Sequence, residues 1–144
     1  MRLLISEWIA VGVTAGIAAA ALWLPGGASA DMTKAEFEAR KERLDATYGV
    51  AKRKCATYSG NARDICMAEA RGRDKVARME LEERFKDSPK ARYNVRMARA
   101  EADYDVAKAR CDERAGPQKK LCLEEAKAAY ARDKADAAAS RPGA

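Results

Sequence analysis

The sequence predicts an all-α protein made of two tandem antiparallel helical hairpins, each closed by a disulfide bond. Three observations predict this fold class. The 114 residues after position 30 contain 25 alanines but only 11 Leu, Ile, Val and Phe residues, a composition typical of long helices. Apolar residues recur at helical spacing, and a segment with two cysteines occurs twice. The hairpins are expected either to stack as a small four-helix bundle or to form an elongated pair.

Residues 1–30 are predicted to be a secretory signal peptide. An apolar run over residues 8–24 is followed by the small residues Ala28 and Ala30, so cleavage is predicted after Ala30. The alternative is a retained membrane anchor formed by residues 3–24, which is less favoured because the run is shorter than the ~20 residues of a spanning helix. Either way, we expect the rest of the chain to be periplasmic or secreted in a bacterium, where cysteines pair.

Local start and stop signals divide the exported part into four helices. Thr33 followed by Glu36 is the pattern of a capping box, which opens the first helix. Gly60 and Gly116 suit the left-handed residue that follows a helix end, and Asn61 is expected to cap the next helix. The predicted helices cover about residues 33–59, 62–86, 89–115 and 118–139.

The break between the two hairpins lies at Ser88, expected as an N-cap, and Pro89, expected at the first helical position. This break is either a sharp turn or a kink in one long helix. The predicted units are therefore a first hairpin over residues 31–87, a second over residues 88–139, and a frayed tail over residues 140–144.

Apolar positions along the helices alternate steps of three and four residues, which is a heptad seam. Opposite charges four residues apart are expected on the solvent-facing side. The seam positions are Phe37, Leu44, Tyr48, Ala51, Cys55 and Tyr58 in the first helix and Tyr93, Met97, Ala100, Tyr104, Ala107 and Cys111 in the third. The charge pairs are Glu36–Arg40, Glu69–Arg73, Glu80–Arg84 and Glu82–Lys86.

The chain also repeats itself at a distance of 56 residues. Between Arg43 and Arg71, 11 of 29 positions carry the same residue as the position 56 further on. Tyr48, for example, matches Tyr104. Self-similarity at a fixed distance predicts a duplicated structural unit, here a helical hairpin.

Each repeat contains two cysteines with ten residues between them. Residues equidistant from the turn of an antiparallel hairpin face each other, so we expect the disulfides Cys55–Cys66 and Cys111–Cys122. Closing a loop of about 12 residues stabilises the fold by roughly 3 kcal/mol, which matters in a chain with few large apolar residues. A zinc site is the weaker alternative, because structural zinc ligands usually lie two to four residues apart. Free or redox-active thiols are also less favoured, since the chain has no Cys-x-x-Cys.

The most specific pattern runs from Tyr48 to Ala70. It consists of Tyr-x-Val-Ala-Lys-x-Lys-Cys and then Gly-Asn-Ala-Arg-Asp-Ile-Cys-Met-Ala-Glu-Ala. This pattern resembles the repeated unit of small exported proteobacterial proteins, some of them labelled TolA-like cell-envelope proteins. The second unit has Gly116-Pro117-Gln118 where that family has Gly-Asn-Ala, a change that alters the cap and keeps the turn. The resemblance implies export and Ala-rich, Cys-paired helical hairpins, and it implies no activity.

The residue types argue against an enzyme. The chain has no His, which removes the commonest general base and the commonest metal ligand. The carboxylate pairs Glu82–Glu83 and Glu124–Glu125 stand beside Lys and Arg, so a solvated helix face is expected there. Tyr48 and Tyr104 are expected to pack in the core and not to stack on a ligand. We therefore predict no catalytic residue, no cofactor and no metal site.

The formal net charge of +6 bears on the partners. Basic clusters lie at residues 52–54, 71–73 and 92–99, but acidic residues are interspersed, which favours a salt-bridged solvated surface. We expect a structural or protein-interaction role with a protein partner in the cell envelope. One alternative is a binder of anionic envelope surfaces, lipopolysaccharide or phospholipid. Nucleic acid is not expected, because the protein is exported.

A second alternative is a periplasmic chaperone-like or adaptor module. Such a protein offers apolar surface to its clients, so this hypothesis predicts an exposed apolar strip on one face. The strip is expected along Phe37, Leu81 and Phe85.

Overall fold

A computed structural model describes residues 31–141; the predicted signal peptide and residues 142–144 lie outside this part. Four helices follow one another, which confirms the all-α fold class. They are α1 (Lys34–Cys55), α2 (Gly60–Lys86), α3 (Pro89–Cys111) and α4 (Gly116–Ala139).

Two of the predicted helix starts are confirmed by their caps. The backbone N–H of Glu36 donates to the Thr33 hydroxyl (3.2 Å), and the backbone N–H of Thr33 donates to the Glu36 carboxylate (2.9 Å). At the start of α3, the Ala91 N–H donates to the Ser88 hydroxyl (3.1 Å), and Pro89 is the first helical residue. Both starts therefore have a local cause in the sequence.

The predicted ends of α1 and α3 are wrong by four residues, because each helix stops at its cysteine. After Cys55 the chain makes a tight turn and becomes extended at Ser59 (φ −131°, ψ 164°). The left-handed glycines Gly60 (φ 56°) and Gly116 (φ 55°) then open α2 and α4 and do not close the preceding helices. The expected Asn61 cap is also wrong, since Ser59 is the N-cap and Asn61 lies in the first turn of α2.

The helices contact only their neighbours in sequence: α1 packs on α2, α2 on α3, and α3 on α4. Within residues 31–141 the four helices therefore form a single open layer, with α1 and α4 at its two edges. The alternative of a closed four-helix bundle is not what forms. The two hairpins lie side by side along α2 and α3, which make the largest contact.

The connection at Ser88 and Pro89 is a sharp turn. Asp87 adopts a left-handed conformation (φ 31°) that ends α2. Salt bridges from Lys75 to Glu101, and from Glu80 to Arg99 (2.6 Å), then join α2 to the antiparallel α3. The kinked single helix is excluded by this reversal.

Small residues allow α2 and α3 to approach closely. Gly72, Ala68 and Ala98 are buried, and a Cβ atom added to Gly72 would lie 2.8 Å from the Cβ of Ala102. Real Cβ atoms do not come this near to each other. The glycine is therefore required by the helix contact itself and not by its backbone conformation.

The outer helices are attached mainly by aromatic rings and charges. Phe37 of α1 stacks on Phe85 of α2 with ring centroids 4.6 Å apart. The Arg78 guanidinium donates to Asp45 on α1 (2.6 Å) and to Asp74 on its own helix (2.9 Å). These bonds raise the pKa of Arg78, the bond to Asp74 being the larger cause.

No position of the predicted α3 seam is exposed, and Ala100 and Cys111 are buried, but the other buried residues of α3, Ala91, Val95 and Ala98, lie outside that seam. In the seam predicted for the first helix, Tyr58 does not pack in the core. It is 45% exposed, because α1 ends before it. Of the four predicted charge pairs only Glu69–Arg73 forms (3.0 Å). Glu36 is instead hydrogen-bonded to Thr33, and Glu80 is paired with Arg99 on α3. Glu82 and Lys86 form no ion pair within residues 31–141, and nothing in the structure explains this.

Candidate interaction surfaces

The two predicted disulfides are confirmed. Cys55 is bonded to Cys66, and Cys111 to Cys122, with Cα–Cα distances of 5.4 and 5.7 Å. Cys55 and Cys111 are almost completely buried. No cysteine of the described chain is free, and no group of Cys, Asp or Glu within residues 31–141 is placed to hold a metal ion.

A groove of about 990 Å³ is lined jointly by α2, α3 and α4. We call it the α2–α4 groove. Its apolar lining is made of small residues: Gly72, Val76 and Ala77 from α2, Ala102, Val106 and Ala107 from α3, and Ala126 from α4. The Cys111–Cys122 disulfide forms one end of this lining. The groove exists because α4 packs on α3 and does not reach α2.

Charged side chains surround the apolar lining in equal numbers. The groove is bordered by four arginines, Arg73, Arg99, Arg110 and Arg114, and by four acidic residues, Glu69, Glu80, Asp103 and Glu125. Glu69 accepts from both Arg73 and Arg110, each at 3.0 Å. This border is electrically balanced, so the groove selects for neither a cation nor an anion.

A smaller groove of about 540 Å³ lies between α1 and α2. Leu44, Tyr48, Ala51 and Ile65 contribute to its lining, together with the Cys55–Cys66 disulfide. Glu69, Arg73 and Ala77 line both grooves, so α2 forms the ridge between them.

The exposed apolar strip expected along Phe37, Leu81 and Phe85 is wrong. Leu81 is 7% exposed, and the two phenylalanine rings are half-buried against each other. They attach α1 to α2. Within residues 31–141 the exposed large hydrophobic residues are Val50 (57%), Tyr58 (45%) and Leu121 (61%).

Tyr48 and Tyr104, which occupy equivalent positions in the two repeats, are half-buried. Tyr104 stacks on Tyr130 with centroids 4.9 Å apart, and the Nζ of Lys108 lies 5.3 Å from the Tyr104 ring centroid. The Nζ of Lys52 lies 4.9 Å from the centroid of Tyr48. Tyr104 thus packs between α3 and α4.

The shifted pKa values belong to caps and surface ion pairs. Hydrogen bonds from Thr33, first from its backbone, lower the pKa of Glu36. A hydrogen bond to Glu124 raises the pKa of Lys127. In the carboxylate pair Glu124–Glu125, Glu124 is thus engaged with Lys127 at 3.0 Å, and Glu125 borders the α2–α4 groove. No titratable side chain is buried in residues 31–141.

A feature that the sequence interpretation missed is where the net charge lies. Residues 52–66 contain four basic residues and one acidic residue, and residues 108–122, the same positions in the second repeat, contain five and two. Each segment therefore carries +3. Together they account for the entire formal net charge of +6, so the rest of the chain is neutral in sum. Adding the charges in windows around each cysteine pair would have revealed this.

The comparisons with known proteins add no relative. Neither the protein-family models nor the curated proteins nor the solved structures contain a significant match to this chain. Among the helices of residues 31–141, none has the length and hydropathy needed to cross a membrane. The two disulfides indicate an oxidising, extracytoplasmic compartment.

Proposed function

We propose that this protein is a non-enzymatic interaction module of the bacterial cell envelope that binds a helix of a partner protein in the α2–α4 groove. The observation that carries the proposal is the combination of an apolar lining of small residues with a charge-balanced border. Small side chains let a helix approach closely, and the apolar face of an amphipathic helix is the usual occupant of such a groove.

The charge pattern of the border fits this occupant. Arg114 and Asp103 border the groove, and neither has an ion-pair partner within residues 31–141. A helix with both signs of charge beside its apolar face would pair with them. Paired charges at the edge of an interface favour one orientation and register.

The proposed location is the periplasm, reached through a cleaved signal peptide at residues 1–30. The small residues before Ala30 and the two disulfides support it. We further propose that the two hairpins arose by duplication. Positions 56 residues apart are buried in both, namely Cys55 and Cys111, Ala70 and Ala126, and Leu81 and Ala137. The resemblance to repeated exported proteobacterial proteins agrees with both proposals.

Site-specific photocrosslinking in living cells tests the groove. The chain offers a matched pair, because Val106 lines the groove while Val50, its equivalent in the first repeat, is exposed on α1. A photoreactive residue at position 106 is expected to give a discrete adduct with one envelope protein. The same residue at position 50 is expected to give none.

A second substitution shows whether the adduct depends on the apolar lining. Val76→Glu places a carboxylate in the groove, and an unpaired charge in an interface costs several kcal/mol. It should lower the yield of the adduct at position 106 by more than tenfold, while Val50→Glu should leave the yield unchanged. Circular dichroism of both variants checks that the helices persist. Equal adducts at positions 106 and 50, or an adduct that survives Val76→Glu, would contradict the proposal.

A further inference from the structure

We propose that one end of the molecule docks on the surface of an anionic phospholipid bilayer. This end, which we call the disulfide end, consists of residues 52–66 and 108–122. It holds the whole formal net charge of the chain, +3 in each segment. The proposal does not require a protein partner, although Arg110 and Arg114 belong both to this end and to the border of the α2–α4 groove.

The fold brings the two segments together. Because the four helices run alternately up and down, the α1–α2 turn and the α3–α4 turn lie at the same end of the layer. The Arg110 guanidinium reaches Glu69 on α2 (3.0 Å), which shows that the ends of the two hairpins lie side by side. Neighbouring helix axes are 8–10 Å apart, so the end is roughly 24–30 Å wide. A basic surface of this width can meet several lipid headgroups at once.

Most of the cations at this end have no carboxylate partner. Of the ion pairs in residues 31–141, two involve this end: Lys119–Asp112 (2.9 Å) and Arg110–Glu69. Seven exposed cations of this end therefore have no carboxylate partner within residues 31–141. Lys52 and Lys108 lie over tyrosine rings, and five remain for an external anion, namely Arg53, Lys54, Arg63, Arg114 and Lys120. Ion pairs are more frequent in the rest of residues 31–141, where seven of the 18 Lys and Arg residues are paired with a carboxylate, against two of nine at the disulfide end.

The local backbone adds to the positive potential. The first turns of α2 and α4, which both begin at this end, contain no acidic residue, and neither N-cap side chain makes a capping hydrogen bond. The first turn of each helix therefore leaves the partial positive charge of its N-terminus without an acidic side chain or a side-chain cap.

Exposed apolar side chains indicate a bilayer and not a soluble polyanion. Tyr58, in the α1–α2 turn, is 45% exposed, and Leu121, in the second turn of α4, is 61% exposed. Such residues among cations favour the boundary between headgroups and acyl chains, where apolar burial and charge attraction act together. A dissolved polyanion gains nothing from them.

Co-sedimentation of the full oxidised chain with vesicles tests the proposal. The probes are vesicles of phosphatidylglycerol mixed with phosphatidylcholine, and vesicles of phosphatidylcholine alone. We expect retention on the anionic vesicles at about 50 mM salt, strong loss at about 300 mM salt because of screening, and little retention on the neutral vesicles. Equal retention on both kinds of vesicle would overturn the proposal.

Two variants with a matched control locate the surface. Lys54→Gln with Lys120→Gln removes two cations of the disulfide end and should weaken partitioning by about 30-fold, or roughly fivefold for each cation. Lys34→Gln with Lys90→Gln removes the same charge from exposed positions at the opposite end and should change it by less than threefold, roughly the effect of losing long-range charge alone. Equal losses in the two pairs would overturn the assignment to the disulfide end.

A third variant separates a bilayer from a soluble polyanion. Tyr58→Ser with Leu121→Ser keeps every charge and should weaken partitioning into anionic vesicles by more than tenfold, because apolar contact is lost. Binding to polyphosphate, measured in parallel, should not change. Vesicle binding that is insensitive to this variant would show that the end recognises anionic charge alone, and the lipid proposal would be wrong.

Discussion

The side chains of Thr33 and Glu36 cap the N-terminus of α1, because each is hydrogen-bonded to the backbone of the other. The Glu36 carboxylate accepts from the Thr33 N–H, and the Thr33 hydroxyl accepts from the Glu36 N–H. The carboxylate also lies at the positive end of the helix dipole. Hydrogen bonds from the Thr33 N–H and then from the Thr33 hydroxyl stabilise the ionised carboxylate, so its pKa falls below the ordinary value of about 4.5.

This lowered pKa predicts how the start of α1 responds to acid. A carboxylate whose pKa is lower in the folded state contributes stability above its unfolded pKa and loses it as pH falls through the folded pKa. We therefore expect the Thr33 amide resonance in NMR spectra to titrate below pH 4.5. Glu36→Gln, which keeps an acceptor oxygen but cannot ionise, should abolish this titration, whereas Glu42→Gln should preserve it. A Thr33 amide that titrates normally in Glu36→Gln would be the contrary result.

At the scale of the helix, the contact between α2 and α3 depends on one missing methyl group. Gly72 is buried in the middle of α2, where Ala would be the better helix former. The methyl group of Ala would lie 2.8 Å from the Ala102 Cβ, and both atoms belong to packed helices that cannot yield independently. Packing therefore outweighs helix propensity at this position.

The pair Gly72→Ala and Gly49→Ala tests this conclusion. Gly72→Ala should lower the free energy of unfolding by about 1–2 kcal/mol, since overpacking costs about 1–3 kcal/mol and the gain in helix propensity offsets part of it. In α1, a Cβ at Gly49 would meet the Arg53 guanidinium at an ordinary 3.6 Å. Gly49→Ala should therefore raise the free energy of unfolding by about 0.5–1 kcal/mol. Urea denaturation measures both values, and a Gly72→Ala variant as stable as the parent would refute the steric argument.

The presence and order of the four helices could be predicted from the sequence, but the ends of α1 and α3 could not. Thr33, Ser88 and Pro89 each act within one turn, so a local pattern identifies the starts of α1 and α3. The glycines after the cysteines are equally clear, yet they open the next helix. Which of two adjacent helices a left-handed glycine belongs to depends on where the disulfide holds the turn. The role of Gly72 could not be predicted either, because it depends on the register between α2 and α3.

At the scale of the whole molecule, the cysteine pairing could be predicted, because the two cysteines of each repeat lie symmetrically about a turn. The open arrangement of the four helices could not be predicted. A closed bundle and an open layer bury the same seam residues. They differ in whether α1 meets α4, which no local pattern specifies. The α2–α4 groove is a consequence of that openness, so it could not be predicted either. The basic character of the disulfide end could have been predicted, because its charge can be counted in the sequence.

The disulfide pairing is the claim on which the hairpins, the grooves and the basic end all depend. Proteolysis of the protein without reduction, followed by mass spectrometry, tests it directly. We expect one linked pair of peptides that contains Cys55 and Cys66, a second that contains Cys111 and Cys122, and no free thiol. A peptide with Cys55 joined to Cys111 or Cys122 would contradict it.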